Sequence, residues 1–210
     1  MISLPKETFF NLDNDKRQRI IDSSVREFAT YSYDEVKLSS IIKSAGIPRG
    51  SFYQYFVDKS DLYKYLFTHI TNAKLEYLED LLINPEKLSF LDLFRELYIR
   101  GASFALNHPL YVSMMGQLLS SKGQMYDELL KDALDKGLQY YINYIEEDKR
   151  LGKINPEINS HVLAKLVVDM TTNVALDELN ENSKTIDLKK MTKRIEDIIL
   201  IFKKGILKGE

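Results

Sequence analysis

Across 210 residues the chain carries 29 basic and 31 acidic side chains, a formal net charge of −2, and 44% hydrophobic residues, enough apolar material for one or two buried cores and too much for a disordered chain. The absence of cysteine excludes a disulfide framework, a thiolate metal site and a cysteine nucleophile, and fits a reducing, cytoplasmic setting. No basic-then-apolar leader opens the sequence, and the longest apolar candidate, Ile198 to Phe202, falls far short of the ~20 residues of a membrane span.

Residues 1–14 read as an extended arm, with Pro5 resisting helix and Phe9 and Phe10 placed to tuck against the body. Asp13 or Asp15 is expected to cap the next helix, whose positive end suits acids. That helix runs from about Asp15 to Tyr31, with Ile20, Ile21, Ser24, Val25 and Phe28 on its buried stripe. Lys16, Arg17 and Arg19 lie near its start. Residues 30–36 form a turn carrying Tyr31 and Tyr33.

Lys37 to Leu62, KLSSIIKSAGIPRGSFYQYFVDKSDL, reads as two very short helices joined by a tight turn, then the start of a third. Leu38, Ile41, Ile42 and Ala45 bury one face of the first helix. Gly46 sits where a stopping helix wants positive φ, Ile47 plugs the turn, and Pro48 stands where a new helix can begin without losing a hydrogen bond. The second helix, Arg49 to Phe56, turns Phe52 and Phe56 inward and leaves Arg49, Ser51, Tyr53, Gln54 and Tyr55 outside. A helix so short and so rich in hydrogen-bonding side chains is poor core material, and suits the recognition helix of a helix-turn-helix. Lys37 to Tyr65 also holds a surplus of three positive charges within a chain that is slightly acidic.

The run AGIPRGSFYQYFVDKSDLY, Ala45 to Tyr63, resembles the helix-turn-helix signature of the TetR family of bacterial transcriptional regulators. Gly46, Gly50, Tyr53, Phe56 and Lys59 fall where the family's pattern puts them. The resemblance covers the first third of the chain by motif and the remainder by length and helical pattern. Two positions depart from it. Lys37 stands where the family usually has a capping Ser or Thr, and Pro48 replaces a common Ser. The resemblance implies DNA contacts from Lys37, Arg49, Gly50, Ser51, Tyr53, Gln54, Tyr55 and Lys59, with one phosphate contact from Lys16 or Arg17. Arg49 and Gln54 suit guanine and adenine edges, Ser51, Tyr53 and Lys59 suit phosphates, and Gly50 permits close backbone approach.

Asp58 and Asp61 have capping-box spacing at the start of a long helix expected from Lys59 to about Ile83. Asn84-Pro85 ends it. Further helices are expected over Leu88 to Asn107, Leu110 to Ser121, Met125 to about Leu151, Ile158 to Leu179 and Leu188 to Leu207. The expected fold is therefore all-α with about nine helices: a three-helix head, residues 1–58, and a larger helical body, residues 59–210. In that body Phe104, His108, Tyr111, Met114, Met115, Tyr141, Tyr144 and Met170 offer apolar walls with a few polar handles for a ligand. Val167, Val174, Ile195, Ile199 and Phe202 crowd the last two helices, which in the family pair with a second copy as a four-helix bundle.

His69, His108 and His161 have no ligand-like spacing, no phosphate-cradling glycine loop is present, and nothing resembles a nucleophile elbow, so no cofactor or metal is expected and an enzyme has no positive support. The resemblance implies a homodimeric repressor of a palindromic operator, released by a small, largely apolar effector. A helix-turn-helix protein governed by a protein partner or serving an architectural role is the alternative, and a helical enzyme or ligand carrier a remoter one.

Overall fold

A computed structural model describes residues 5–79, 81, 88–181 and 187–205, with 172–181 as backbone. It is all-helical, with eleven helices among the described residues: α1 (Glu7–Phe10), α2 (Asn14–Thr30), α3 (Leu38–Ala45), α4 (Arg49–Tyr55), α5 (Lys59–Glu76), α6 (Phe90–Asn107), α7 (Pro109–Ser121), α8 (Gln124–Leu129), α9 (Lys131–Arg150), α10 (Ser160–Glu181) and α11 (Leu188–Lys204). Two of these raise the count above the nine expected. The N-terminal arm is not wholly extended, because Glu7–Phe10 close one helical turn beyond Pro5. The helix expected from Met125 is cut at Leu130, where Leu129 and Leu130 are both buried. The end of α5 also differs from expectation. Past Glu76 the chain tightens into turns, with Tyr77 and Leu78 N–H donating three residues back to Lys74 and Leu75, and Ile83 lies outside the described residues.

Packing groups the chain into two units. The first comprises residues 5–73 and 109–132. There α2 packs against α3 and along α7, and α1 against α4. Asp13 accepts the Lys16 N–H at 2.8 Å and so caps α2. The core is aromatic and aliphatic: Phe9, Phe28, Ile41, Phe52, Phe56, Leu62 and Leu66 are all but fully buried. Each such side chain contributes roughly 1.5–3 kcal/mol relative to an exposed one.

The second unit comprises residues 74–108 and 133–205. Its α6 packs against α11 and α10, and Phe90, Leu93, Phe94, Ile145, Ala164, Val167, Ile195 and Ile199 form its core. Asp148 is buried in this unit. Its carboxylate accepts the Phe90 N–H at 2.7 Å, filling an open donor at the start of α6, and the Lys153 ammonium at 3.0 Å. Arg95 of α6 pairs with Glu196 of α11.

Candidate nucleic-acid interface

The helix-turn-helix geometry follows from three residues in succession. Gly46 takes φ +66°, the left-handed conformation that ends α3. Its N–H donates to Lys43 and that of Ile47 to Ile42, closing two of the open carbonyls in the last turn of α3. Ile47 is buried in the turn. Pro48, extended at φ −61° and ψ 145°, then serves as the N-cap of α4 and accepts from Ser51 and Phe52 through its carbonyl. Neither Lys37 nor Pro48 supplies a side-chain cap, so the first turns of α3 and α4 lack the N-cap hydrogen bond that a Ser, Thr, Asp or Asn would give.

On α4, Phe52 and Phe56 turn inward and their rings lie 5.4 Å apart. Arg49, Gly50, Tyr53 and Gln54 are exposed and Ser51 half-buried; Lys37 is exposed at the start of α3. Gly50 has an ordinary helical backbone, and a methyl group added to it would meet nothing within 4 Å. Nothing among the described residues requires a glycine there.

Two residues of the expected set are placed differently. Tyr55 is only 5% exposed, with its ring 6.2 Å from that of Phe9, so it belongs to the core rather than to an outer face. The cause is the short arm: α1 covers the side of α4 that the helical pattern alone leaves open. Lys59 turns back onto its own unit. Its ammonium donates to the carbonyls of Tyr33 at 2.7 Å and Val36 at 3.2 Å, and lies 4.5 Å from the Tyr33 ring centre. It thus fastens the turn between α2 and α3 to the start of α5. The Asp58–Asp61 pair caps α5 as the spacing predicts: Asp58 accepts the Asp61 N–H at 2.8 Å, and Asp61 accepts the Val57 N–H at 2.9 Å. Arg17 donates to the Phe10 carbonyl and to Asn14, while the Lys16 ammonium lies 5.8 Å from the Tyr55 ring centre.

The residues expected around a ligand fall into separate groups. In the first unit Met114 is buried, Met115 half-buried, and the Tyr111 hydroxyl lies 3.0 Å from His69 Nε2. In the second unit Phe104 and His108 share a cluster with Tyr77, whose ring meets Phe104 at 5.4 Å. Tyr140 and Tyr144 face each other with hydroxyls 3.5 Å apart, Tyr141 packs on Phe90, and Met170 is half-buried. Burial pushes the phenols of Tyr111, Tyr141 and Tyr144 up from an ordinary value that already keeps a phenol neutral at physiological pH. Tyr77 and His69 were not among the expected residues; each declares itself only through a partner distant in sequence.

The last two helices also sort differently. Val167, Ile195 and Ile199 are buried within the chain, and Phe202 lies 6.1 Å from Phe94. The Val174 side chain is outside the described residues. Among the described side chains of these two helices, the large apolar ones left open are Val162 and Leu166 on α10 and Leu200 and Ile201 on α11, each at least half exposed.

A short uncapped recognition helix behind a glycine turn is the mark of a helix-turn-helix DNA-binding protein. Residues 20–66 match the family model described as "Bacterial regulatory proteins, tetR family". The HTH-type transcriptional regulator YdgC of Bacillus subtilis is 25% identical over 160 residues, covering 74% of this chain and 77% of its own. A TetR-family regulator from Chloroflexus aurantiacus has the same fold at a TM-score of 0.81, with 26% identity over 98% of this chain and all of that one. The regulator FadR of Bacillus subtilis, solved with stearoyl-CoA, shares the fold at a TM-score of 0.68, with 18% identity over 90% of this chain and 99% of its own. Residues 20–66 thus match the DNA-binding domain of the tetR family, and the fold of the chain is that of a TetR-family transcriptional regulator.

Proposed function

We propose that the chain is a repressor that grips a palindromic operator as a homodimer and lets go when a small, largely apolar ligand binds its helical body. Residues 1–58 read the DNA and residues 59–210 carry the ligand response and the dimer contact. The observation that carries the DNA reading is Gly50, a helical glycine with nothing among the described residues to require it, flanked by exposed Arg49, Tyr53 and Gln54 on a helix with no side-chain cap at its start. Arg49 and Gln54 read base edges, while Lys37, Ser51, Tyr53 and the N–H groups at the start of α4 meet phosphates. Lys59 holds the turn behind α3 and brings positive charge beside it.

The fold shared with a regulator solved with stearoyl-CoA supports an acyl-like effector, and the neutral phenols of Tyr141 and Tyr144 suit one without strong charge. Phe104, His108, Tyr141, Tyr144 and Met170 are the residues of the second unit proposed to recognise such a ligand. Such a ligand acts only if it favours the form that binds DNA poorly, and operator DNA must then weaken its affinity by the same factor.

The test is selection of duplexes from a random-sequence pool by the full chain, followed by titration with acyl-CoA thioesters. A symmetric selected site is expected, and Arg49→Ala should cost about 1–3 kcal/mol of discrimination at one base pair per half-site. Selection of no site, or acyl-CoA compounds that raise the melting temperature yet never loosen the complex, would overturn the respective halves of this reading.

A further inference from the structure

We propose that the arm formed by Lys6, Thr8 and Phe9 is a positioning clamp for the recognition helix, and so a determinant of operator selectivity; the inference rests on the DNA-binding role proposed for α4. A helix of seven residues leaves most of its carbonyls without an intrahelical donor. Here three consecutive carbonyls near the end of α4 are each taken by the arm. The Lys6 N–H donates to Tyr55 at 2.9 Å, the Lys6 ammonium to Tyr53 at 2.8 Å, and the Thr8 hydroxyl to Gln54. Among the described residues that follow, the Phe56 N–H closes this end by donating to Phe52.

The ammonium of Lys6 also sits at the negative end of α4, where a cation is favoured. Phe9, fully buried, fixes the arm: its ring lies 4.8 Å from Phe56 and 5.1 Å from Tyr65, and Pro5 is buried beside it. Arg17 holds the other end through the Phe10 carbonyl. The carbonyls so gripped belong to Tyr53, Gln54 and Tyr55, two of which carry side chains exposed for DNA. The arm therefore touches no base in this scheme; it sets the tilt and rotation at which Tyr53 and Gln54 are presented. A loss of about 1 Å in that placement is felt by directional base contacts and scarcely by phosphate contacts, which makes the clamp a selectivity device.

The experiment uses the full chain with Thr8→Val, Lys6→Met and the pair, and Thr8→Ser as the conservative control; Phe9 is left in place so that the core is intact. Hydrogen exchange of the Tyr53 to Phe56 amides is measured without DNA. Affinity is then measured on the duplex that the unaltered chain selects from a random pool and on a shuffled duplex of equal composition, over a salt series. The pair should speed α4 exchange and weaken the selected duplex roughly tenfold, with the shuffled duplex and the salt slope unchanged and melting within a few degrees; Thr8→Ser should behave as the unaltered chain. Unchanged α4 exchange overturns the clamp whatever the DNA does. An equal loss on both duplexes with a shallower salt slope also overturns it, and makes Lys6 a phosphate contact. If exchange rises but the unaltered chain selects no duplex, the DNA reading fails and the clamp as a selectivity device falls with it, while the brace on α4 stands.

Discussion

Gly50 pits stability against binding. A helical glycine with open space at its Cβ costs stability relative to alanine, so Gly50→Ala should raise the unfolding free energy by about 0.4–1 kcal/mol. The same methyl group occupies the room that a DNA backbone needs, and operator affinity should fall at least tenfold; thermal melting and a binding isotherm on one sample check both signs. Asp148 is the opposite kind of residue. It fills the open donor of Phe90 at the start of α6 while buried, so Asp148→Ala should destabilise the protein by about 2–3 kcal/mol. Denaturant unfolding reads this directly. Operator affinity per folded molecule should be unaffected. Glycine-turn chemistry was readable from the sequence because φ > 0 has few solutions. Asp148 was not, since 58 residues separate it from Phe90 and nothing local marks an acid as buried.

Among the elements, the helix-turn-helix and the capped start of α5 were legible, because spacing alone places Gly46, Ile47, Phe52, Phe56, Asp58 and Asp61. The break at Leu130 was not. It carries neither glycine nor proline, and the apolar periodicity runs straight through it. Tyr55 was misread for a related reason: helical pattern assigns faces only relative to neighbours already known, and α1 is too short for periodicity to reveal. Lys59 links elements. With its two bonds to the α2–α3 turn removed, Lys59→Met should lower stability by about 1–2 kcal/mol and weaken all duplexes alike, whereas Lys59→Arg should recover most of the stability. Parallel melting and filter-binding on selected and shuffled duplexes would separate the two effects.

On the scale of the whole molecule, the proposed dimer would rest on apolar side chains that the described residues leave exposed. Val162 and Leu166 stand four residues apart on α10, and Leu200 and Ile201 lie together on α11. In this proposal the pairing surface is offset from the expected Val167, Ile195 and Ile199, which are buried within the chain. Crowding measures total apolar content and cannot tell which residues a neighbouring helix of the same chain has claimed. Leu166→Glu with Leu200→Glu should convert a dimer near twice 24.4 kDa into a folded monomer that binds the operator at least a hundredfold more weakly. Sedimentation equilibrium with far-ultraviolet dichroism checks association and fold together.

The interleaving of the two units bears on how the protein is made. Residues 109–132 complete the unit that begins at the arm, and α2 lacks its α7 partner until they arrive. On a translating ribosome, therefore, the DNA-reading head cannot mature as a nascent domain once its own three helices have emerged. It must wait while about 75 further residues are synthesised, by which time all of α6 is waiting too. A stalled chain ending at residue 73 should be protease-sensitive, and one carrying residue 132 beyond the exit tunnel should be the first to resist.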